Sequence, residues 1–339
     1  SDEELAQAFR TPASQDHDLR TLEIAFDRTC QFACSYCNPA FSSTWVKDIR
    51  TNGPYTNLLS DGRNHFTHTH EANQLYRYGE LNPYVEAFFQ WWESDLHRTL
   101  QELRITGGEP LMSAHTWQLI DWFKANRGKS STRLAINSNL GTDVDVDRLL
   151  DAVTGVVIDL YTSNESMGLQ AEYIRDGLAF DDWANNVERL LDSGKFRGLH
   201  VMCTINALCL GSLDSFLEMV YNWKVEYGKD ALNFSLNILR FPSFQSPLVL
   251  PDAIRFEYCC KLQRWFDDHA DSEFLHEFER NQLQRLIDYL NTVKTPHAGA
   301  AEQSMLQKDF KQFYTQYDQR RNKDFKATFP ELSTWYDSI

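Results

Sequence analysis

Six short segments of the 339-residue chain combine alternating or continuous apolar positions with flanking turn residues, a pattern typical of β-strands. Stretches with apolar residues at three- and four-residue steps separate the later segments and predict helices. The predicted strands are residues 19–26, 100–108, 131–139, 155–163, 198–206 and 232–239, and the predicted helices are 115–126, 145–153, 180–194 and 213–228. This alternation predicts an α/β fold with one parallel sheet and right-handed crossovers.

Two regions interrupt the alternation. Residues 38–99 form a long, aromatic-rich insertion, which ends in a predicted helix over 82–100 with Pro83 in its first turn. Residues 251–339 contain no clear strand and are predicted to be helical, most strongly over 274–293. The expected division of the chain is an N-terminal segment, an α/β domain with the insertion, and a helical extension: 1–18, 19–250 and 251–339.

Charge and composition restrict the class of protein. Hydrophobic residues make up 42% and charged residues 24%, as in ordinary globular proteins. The net charge of −15 argues against general nucleic-acid binding, and the basic stretch 308–326 is interpreted as the solvated face of a terminal helix. No apolar run approaches the roughly 20 residues of a membrane span, and the acidic first residues do not resemble a secretory signal. We therefore expect a cytoplasmic protein without membrane contact.

Three of the seven cysteines, Cys30, Cys34 and Cys37, lie within eight residues in the spacing C-x3-C-x2-C. Thiolates so spaced can hold a cubic iron–sulfur cluster and leave its fourth iron without a protein ligand. A zinc site is an alternative, but no fourth Cys or His follows nearby. The remaining alternative is a loop whose cysteines bind nothing. The odd cysteine count also favours a reducing compartment.

Two motifs together resemble the radical S-adenosylmethionine (SAM) superfamily. The first is the cysteine loop with Tyr36 before its last cysteine, and the second is Thr106-Gly107-Gly108-Glu109-Pro110 at the end of the second strand. The resemblance covers roughly residues 19–245 and implies a partial (βα)6 barrel. The stretches 37–45 and 171–191 are most similar to the twitch/SPASM branch, although the auxiliary-cluster cysteines of SPASM enzymes are missing.

The resemblance implies a chemistry. It implies one [4Fe-4S] cluster on Cys30, Cys34 and Cys37, with SAM bound to the open iron. Reductive cleavage of SAM would give a 5′-deoxyadenosyl radical that abstracts hydrogen from a C–H bond of a peptide or peptide-like substrate. The electron would come from a donor such as flavodoxin or ferredoxin. Two alternatives stay open: a dehydrogenase or epimerase of a sugar, nucleoside or other small metabolite, and a non-catalytic cluster-binding scaffold or sensor.

The same resemblance implies a set of SAM contacts at the strand ends. The glycine pair lets backbone approach the ligand closely, and Glu109 would accept from the SAM ammonium. Ser138 and a neighbouring Asn would hold the ribose hydroxyls or the carboxylate, while an arginine would clamp a carboxylate. The residues expected in this cofactor site are Tyr36, Gly107, Gly108, Glu109, Ser138, Asn139 and Arg175.

No motif in the sequence assigns a catalytic residue. Cys203, in the fifth predicted strand, is a candidate hydrogen donor if it points into a barrel lumen, and a small buried hydrophobe otherwise. Cys209 is a weaker candidate for the same role, and Asn206, at the end of the fifth predicted strand, is a weaker candidate for a contact with SAM. Five further positions are interpreted without a ligand role: Cys259 and Cys260, which are adjacent, and the loop histidines His65, His68 and His70. Aromatics of the insertion, among them Trp45, Tyr55, Phe66, Phe88, Phe89, Trp91 and Trp92, either cap the substrate entrance or fill the core.

Overall fold

All six predicted strands are present in the computed structural model, and they form one parallel sheet whose spatial order follows the chain order. The structure describes residues 2–12, 18–61, 63–69, 83–154, 156–292 and 300–339. The strands are β1 Thr21–Ala25, β2 Glu102–Thr106, β3 Arg133–Ser138, β4 Ile158–Ser163, β5 Gly198–Ile205 and β6 Leu232–Ile238. The predicted α/β class with a parallel sheet is confirmed.

A helix precedes the first strand, and helices follow each strand of the sheet. Up to the last strand they are α1 Asp2–Arg10, α2 Ser43–Asn52, α3 Pro83–Trp91, α4 Ala114–Ala125, α5 Val146–Ala152, α6 Gly168–Ile174, α7 Phe180–Ser193 and α8 Leu213–Tyr227. Helix α3 begins at Pro83, as expected, and continues through a π-helical turn, Trp92–Leu96, into His97–Thr99. Gly194 caps α7 in the left-handed conformation, with φ +58°.

The region after the sheet is helical, as predicted. Its helices are α9 Asp252–His269, α10 Glu277–Leu290, α11 Ala300–Arg321, α12 Phe325–Thr328 and α13 Ser333–Ser338. The interpretation of 308–326 as a solvated face is wrong for α11, because Phe310, Phe313, Tyr314 and Tyr317 are completely buried. No helix among the residues described in the structure is both long enough and apolar enough to cross a bilayer.

The two faces of the sheet differ in burial. On β5, Leu199, Val201, Cys203 and Ile205 are buried, whereas the alternate residues His200, Met202 and Thr204 are only partly buried. Because successive side chains of a strand point to opposite faces, the first set belongs to the core and the second to the other face. We call the second side, on which Arg104, Tyr161, His200, Met202 and Ser235 line a cavity, the open face.

The aromatic-rich insertion adds a second part of the core. Trp45 and Tyr55 pack against Phe313 of α11, with ring centroids 6.3 and 4.9 Å apart. Trp92 and Phe88 are buried and pack against each other, and Trp91 is 42% exposed. The aromatics of the insertion are therefore mostly core residues. His70 lies outside the described residues, as do 62 and 71–82 of the insertion.

Candidate active site

The cysteine loop follows β1 and is held by side chains at the start of α2. The amide of Cys30 donates to the Ser43 hydroxyl (3.0 Å), and the Thr44 hydroxyl donates to the Cys30 carbonyl (2.7 Å). The Trp45 indole donates to the Cys34 carbonyl at 3.0 Å. These bonds satisfy backbone groups that a loop without regular structure leaves unpaired. The segment Ser43–Trp45 therefore fixes the backbone from which the thiols project.

The three thiols share one partly buried site. Burial and the proximity of Cys34 raise the pKa of Cys30 far above its ordinary value. Burial raises the pKa of Cys34 to about 11 and that of Cys37 to about 12. All three are free cysteines. Three neighbouring cysteines without disulfide partners supply the sulfur donors that an iron–sulfur cluster requires.

A site for a single metal ion has a different geometry from a cluster site. Within the described ranges, no three or more His, Cys, Asp or Glu side chains surround a point that could hold one metal ion. A cubic cluster presents its irons at separate corners, so its thiolate ligands need not converge on one point. The donor set of Cys30, Cys34 and Cys37 therefore fits a cluster by its chemistry.

The glycine turn after β2 packs directly on the backbone that leads into the cysteine loop. A Cβ at Gly107, which has φ +117°, would lie 2.6 Å from the Asp27 carbonyl oxygen. A Cβ at Gly108 would lie 2.2 Å from the Thr29 carbonyl oxygen, far inside contact distance. These two glycines do allow a close approach, as expected. In the structure, the atoms that come close to them belong to the protein's own backbone. The amide of Glu109 then donates to the Thr29 carbonyl at 2.6 Å.

Glu109 is buried at the carboxyl edge of the sheet. Its Oε1 accepts from the Leu111 amide at 3.0 Å, and its Oε2 accepts from the Asn139 amide at 2.6 Å. Burial raises the pKa of Glu109 to about 7, against the opposing effect of these hydrogen bonds and one from Ser138. A solvated turn carboxylate is thereby excluded. Its contact with a SAM ammonium stays a prediction, as does the role of Ser138, which is also buried.

Asn139 connects the turn to the cysteine loop. Besides its amide bond to Glu109, its side-chain Nδ2 lies 3.9 Å from the Cys30 sulfur. Its carboxamide also pairs reciprocally with that of Gln31, with both N–O distances at 3.1 Å. Residues from the ends of β1, β2 and β3 thus meet at one place. This is the carboxyl edge at which parallel α/β sheets place their ligands.

A buried ion pair lies on the other side of the loop. Arg175 Nη2 donates to Glu165 Oε2 at 2.6 Å, and its Nη1 lies 3.9 Å from the Cys34 sulfur. The Tyr36 hydroxyl donates to Glu165 Oε1 at 3.1 Å. A two-residue antiparallel ladder, Ala33–Cys34 with Arg175–Asp176, brings these groups together. Arg175 is therefore no exposed helix arginine, and the carboxylate it binds in this structure is Glu165.

Cys203 does not reach the candidate site from the open face. Its side chain is completely buried, in phase with the core residues Leu199, Val201 and Ile205 of β5. This position favours the alternative of a small buried hydrophobe, and a role of Cys203 as hydrogen donor stays a prediction. Asn206 and Cys209 form a local turn in which Asn206 Oδ1 accepts from the amides of Leu208 and Cys209.

Helix α11 covers the cysteine loop from the C-terminal region. The Tyr317 hydroxyl lies 3.2 Å from the Ala33 carbonyl and 3.1 Å from the Tyr173 carbonyl. The Tyr314 hydroxyl donates to the Ser35 hydroxyl at 3.3 Å. The C-terminal extension therefore contributes directly to the conformation of the loop, which the sequence did not predict.

A cavity of about 800 Å³ opens on the open face of the sheet, below the strand ends. Tyr161 and His200 stack with ring centroids 4.5 Å apart, and the Arg104 guanidinium lies 4.7 Å from the Tyr161 ring centroid. Burial lowers the pKa of His200, Asp159 opposes this shift, and nearby Arg133, Arg104 and Arg197 lower the pKa further. The cavity therefore combines aromatic surface with charged side chains of both signs, Arg104 on one side of the balance and Asp230 and Glu277 on the other.

Comparison with known proteins gives matches only among solved structures. No family model and no curated protein matches the sequence. A structure of anSMEcpe with bound AdoMet is 14% identical, with 75% of this chain and 62% of that chain covered and a TM-score of 0.46. SuiB of Streptococcus suis, bound to the precursor peptide SuiA, is 12% identical, covers 75% of this chain and 47% of its own, and also has a TM-score of 0.46.

A third match is TYW1 with a lysine-pyruvate adduct bound, at 13% identity, 74% coverage of each chain and a TM-score of 0.36. These three proteins are radical SAM enzymes, and this chain is similar to them. The chain spans less than two thirds of the first two matched proteins.

Proposed function

We propose that this chain is a radical SAM enzyme whose Cys30, Cys34 and Cys37 hold a single [4Fe-4S] cluster. The observation that carries the proposal is the continuous contact from Cys30 through Asn139 to Glu109. It unites the two motifs of the sequence in one place at the carboxyl edge of the sheet. A cluster-binding loop alone would not require the buried glutamate and the Gly-Gly turn beside it.

When bound, the cluster and SAM would supply the electron transfer and radical chemistry that no side chain provides. The chain's own residues hold and shield that site. Ser43, Thr44 and Trp45 fix the loop backbone, and Tyr314 and Tyr317 cover it. Glu109, with a pKa of about 7, offers a buried acceptor for an ammonium group at the ends of β2 and β3.

The finer proposal concerns the substrate. We propose hydrogen abstraction from a C–H bond of a peptide or peptide-like molecule, on the basis of the sequence resemblance of residues 37–45 and 171–191 to the twitch/SPASM branch. The cavity of about 800 Å³ on the open face is large enough for an amino-acid residue and its neighbours. A flavodoxin or ferredoxin in the cytoplasm is the proposed electron donor.

Anaerobic incubation with SAM and dithionite tests the proposal. The reconstituted protein should form 5′-deoxyadenosine, and Cys34→Ala should lose this activity because the cluster loses a ligand. Cys260→Ala is the matched control, since Cys260 is a partly buried free cysteine on α9 and has no place in the site. If the wild-type protein carries a cluster but forms no 5′-deoxyadenosine, the result contradicts the proposed enzyme activity and supports a non-catalytic scaffold or sensor.

A further inference from the structure

We propose that Arg175 raises the reduction potential of the cluster by donating an N–H···S hydrogen bond to Cys34, and that Glu165 is the positioning residue that holds Arg175 there. The inference rests on the cluster of the proposed function, but not on the cleavage of SAM. Its basis is a buried set of contacts beside the cysteine loop, in which one N–H group of the guanidinium is directed at a sulfur.

The backbone places Arg175 directly opposite Cys34. The two residues are partners in the two-residue antiparallel ladder. Directly opposed residues of an antiparallel pair project their side chains to the same side, with Cβ atoms about 4.5–5.5 Å apart. The amide of Ser35 donates to the Ile174 carbonyl at 2.7 Å and extends this pairing by one residue. The contact between the guanidinium and the Cys34 side chain therefore follows from main-chain hydrogen bonds.

The N–H groups of Arg175 are divided between a carboxylate and the sulfur. Its Nε and Nη2 donate to Glu165 Oε2 at 3.2 and 2.6 Å, while its Nη1 lies 3.9 Å from the Cys34 sulfur. The guanidinium is planar and its five donors form a fixed fork. Because Glu165 binds one edge of this fork, the direction of Nη1 is determined as well. The geometry thus directs one donor to a sulfur that is an expected cluster ligand.

Glu165 is itself held by further donors. The Tyr36 hydroxyl donates to its Oε1 at 3.1 Å, and the Thr204 amide donates to its Oε2 at 3.4 Å. The side chains of Glu165 and Arg175 are almost completely buried, so solvent and salt screen their charges little. The carboxylate therefore fixes the position of the guanidinium and supplies its counter-charge.

The arrangement of the charges determines the direction of the effect. The guanidinium contacts the sulfur with one nitrogen and the carboxylate with the other two, so the pair presents its positive end to Cys34. Asp176, which follows Arg175 in the chain, pairs with Arg321 and Lys323 at 3.2 and 3.1 Å. Reduction adds one electron to the cluster and breaks no bond, and net charge and hydrogen bonds to the sulfurs set the potential of such clusters. Arg175 therefore stabilises the reduced state, which makes reduction by a flavodoxin or ferredoxin easier.

A reductive titration monitored by electron paramagnetic resonance, without SAM, tests the proposal on the reconstituted protein. Arg175→Met keeps a long side chain but has neither donor nor charge, and it should lower the equilibrium constant for reduction at least tenfold, which is about 59 mV for one electron. Glu165→Gln leaves Arg175 without its counter-charge, so it should shift the potential in the opposite direction. Arg255→Gln is the matched control and should change the equilibrium constant less than twofold, because Arg255 is also a buried arginine but pairs with Asp252 on α9.

Opposite shifts distinguish an electrostatic role from a loosened structure. General loosening of the loop would expose the cluster to water in both variants and move both potentials in the same direction. Shifts of the same sign, or a wild-type potential in Arg175→Met, would overturn the proposal. Iron and sulfide content, measured for each variant, shows that the potentials compared belong to the same cluster.

A second measurement applies if Arg175→Met retains no cluster. Pulsed electron paramagnetic resonance of the reduced wild-type protein, labelled with ¹⁵N-arginine, should show a coupling to an arginine nitrogen that Arg175→Lys loses. Absence of any arginine coupling would overturn the proposal. A cluster with unchanged potentials refutes this inference alone, a cluster with the expected shifts but no 5′-deoxyadenosine refutes SAM cleavage alone, and a protein that binds no iron refutes both.

Discussion

At the scale of single residues, the ion pair between Arg175 and Glu165 has the clearest consequences. The two side chains are 5% and 1% exposed and bond to each other beside the Cys34 sulfur. Glu165 also accepts from Tyr36. A buried charge left without its partner is strongly destabilising, whereas a pair of neutral groups in the same place is tolerated.

Removal of Arg175 alone should therefore lower the free energy of unfolding more than removal of both charges. We expect Arg175→Gln to lower the free energy of unfolding by about 3–5 kcal/mol, measured by urea denaturation of the metal-free protein. Glu165→Gln combined with Arg175→Gln should lower it by less. The exposed pair of Arg189 with Asp147 is the control, and Arg189→Gln should cost no more than about 1 kcal/mol. A double variant less stable than the single one would contradict this.

The residues that the sequence identified are those with short-range motifs. Spacing singled out the three cysteines and the Gly-Gly-Glu motif singled out Glu109; the structure brings Cys30 and Glu109 together through Asn139, and their ligand roles stay predictions. Glu165 has no motif, because its partner Arg175 reaches it only through the two-residue ladder with the cysteine loop. At Cys203, the alternation of Leu199, Val201 and Ile205 in phase with it already favours the core-facing alternative.

At the scale of elements, α11 links the C-terminal extension to the cysteine loop. Its buried aromatics recur at positions 310, 313, 314 and 317, which is the spacing of one helix face. Charged residues between them conceal this stripe, and the basic character of the segment suggested a solvated helix instead. The six strands were easier to predict, because each has its own apolar pattern and turn residues.

Contact of α11 with the loop predicts a measurable effect of one hydroxyl. Tyr317→Phe removes the donor that lies 3.2 Å from the Ala33 carbonyl and 3.1 Å from the Tyr173 carbonyl. Leaving such buried acceptors without a donor should cost about 1–3 kcal/mol in urea denaturation. Tyr227→Phe, whose hydroxyl bonds to Asp192 at the surface, should change stability by less than about 0.5 kcal/mol. Equal effects of the two variants would show that α11 does not support the loop.

At the scale of the whole molecule, the parallel sheet determines where the chemistry can occur. Its carboxyl edge brings Cys30, Glu109 and Asn139 together from three successive strands. Its open face presents Arg104 and His200 to a cavity. The order of the strands was predictable from the alternation of strands and helices, whereas the packing of the insertion and α11 around the loop depends on side-chain contacts across more than 200 residues.

Electron paramagnetic resonance of the reduced, reconstituted protein, recorded with and without SAM, tests the assignment of cluster and SAM site most directly. A cluster held by Cys30, Cys34 and Cys37 has one iron open to a ligand, so SAM should change the g-values of the reduced-cluster signal. The Cys34→Ala variant should show no reduced-cluster signal. A reduced-cluster signal that SAM leaves unchanged, or a protein that binds no cluster at all, would contradict the assignment.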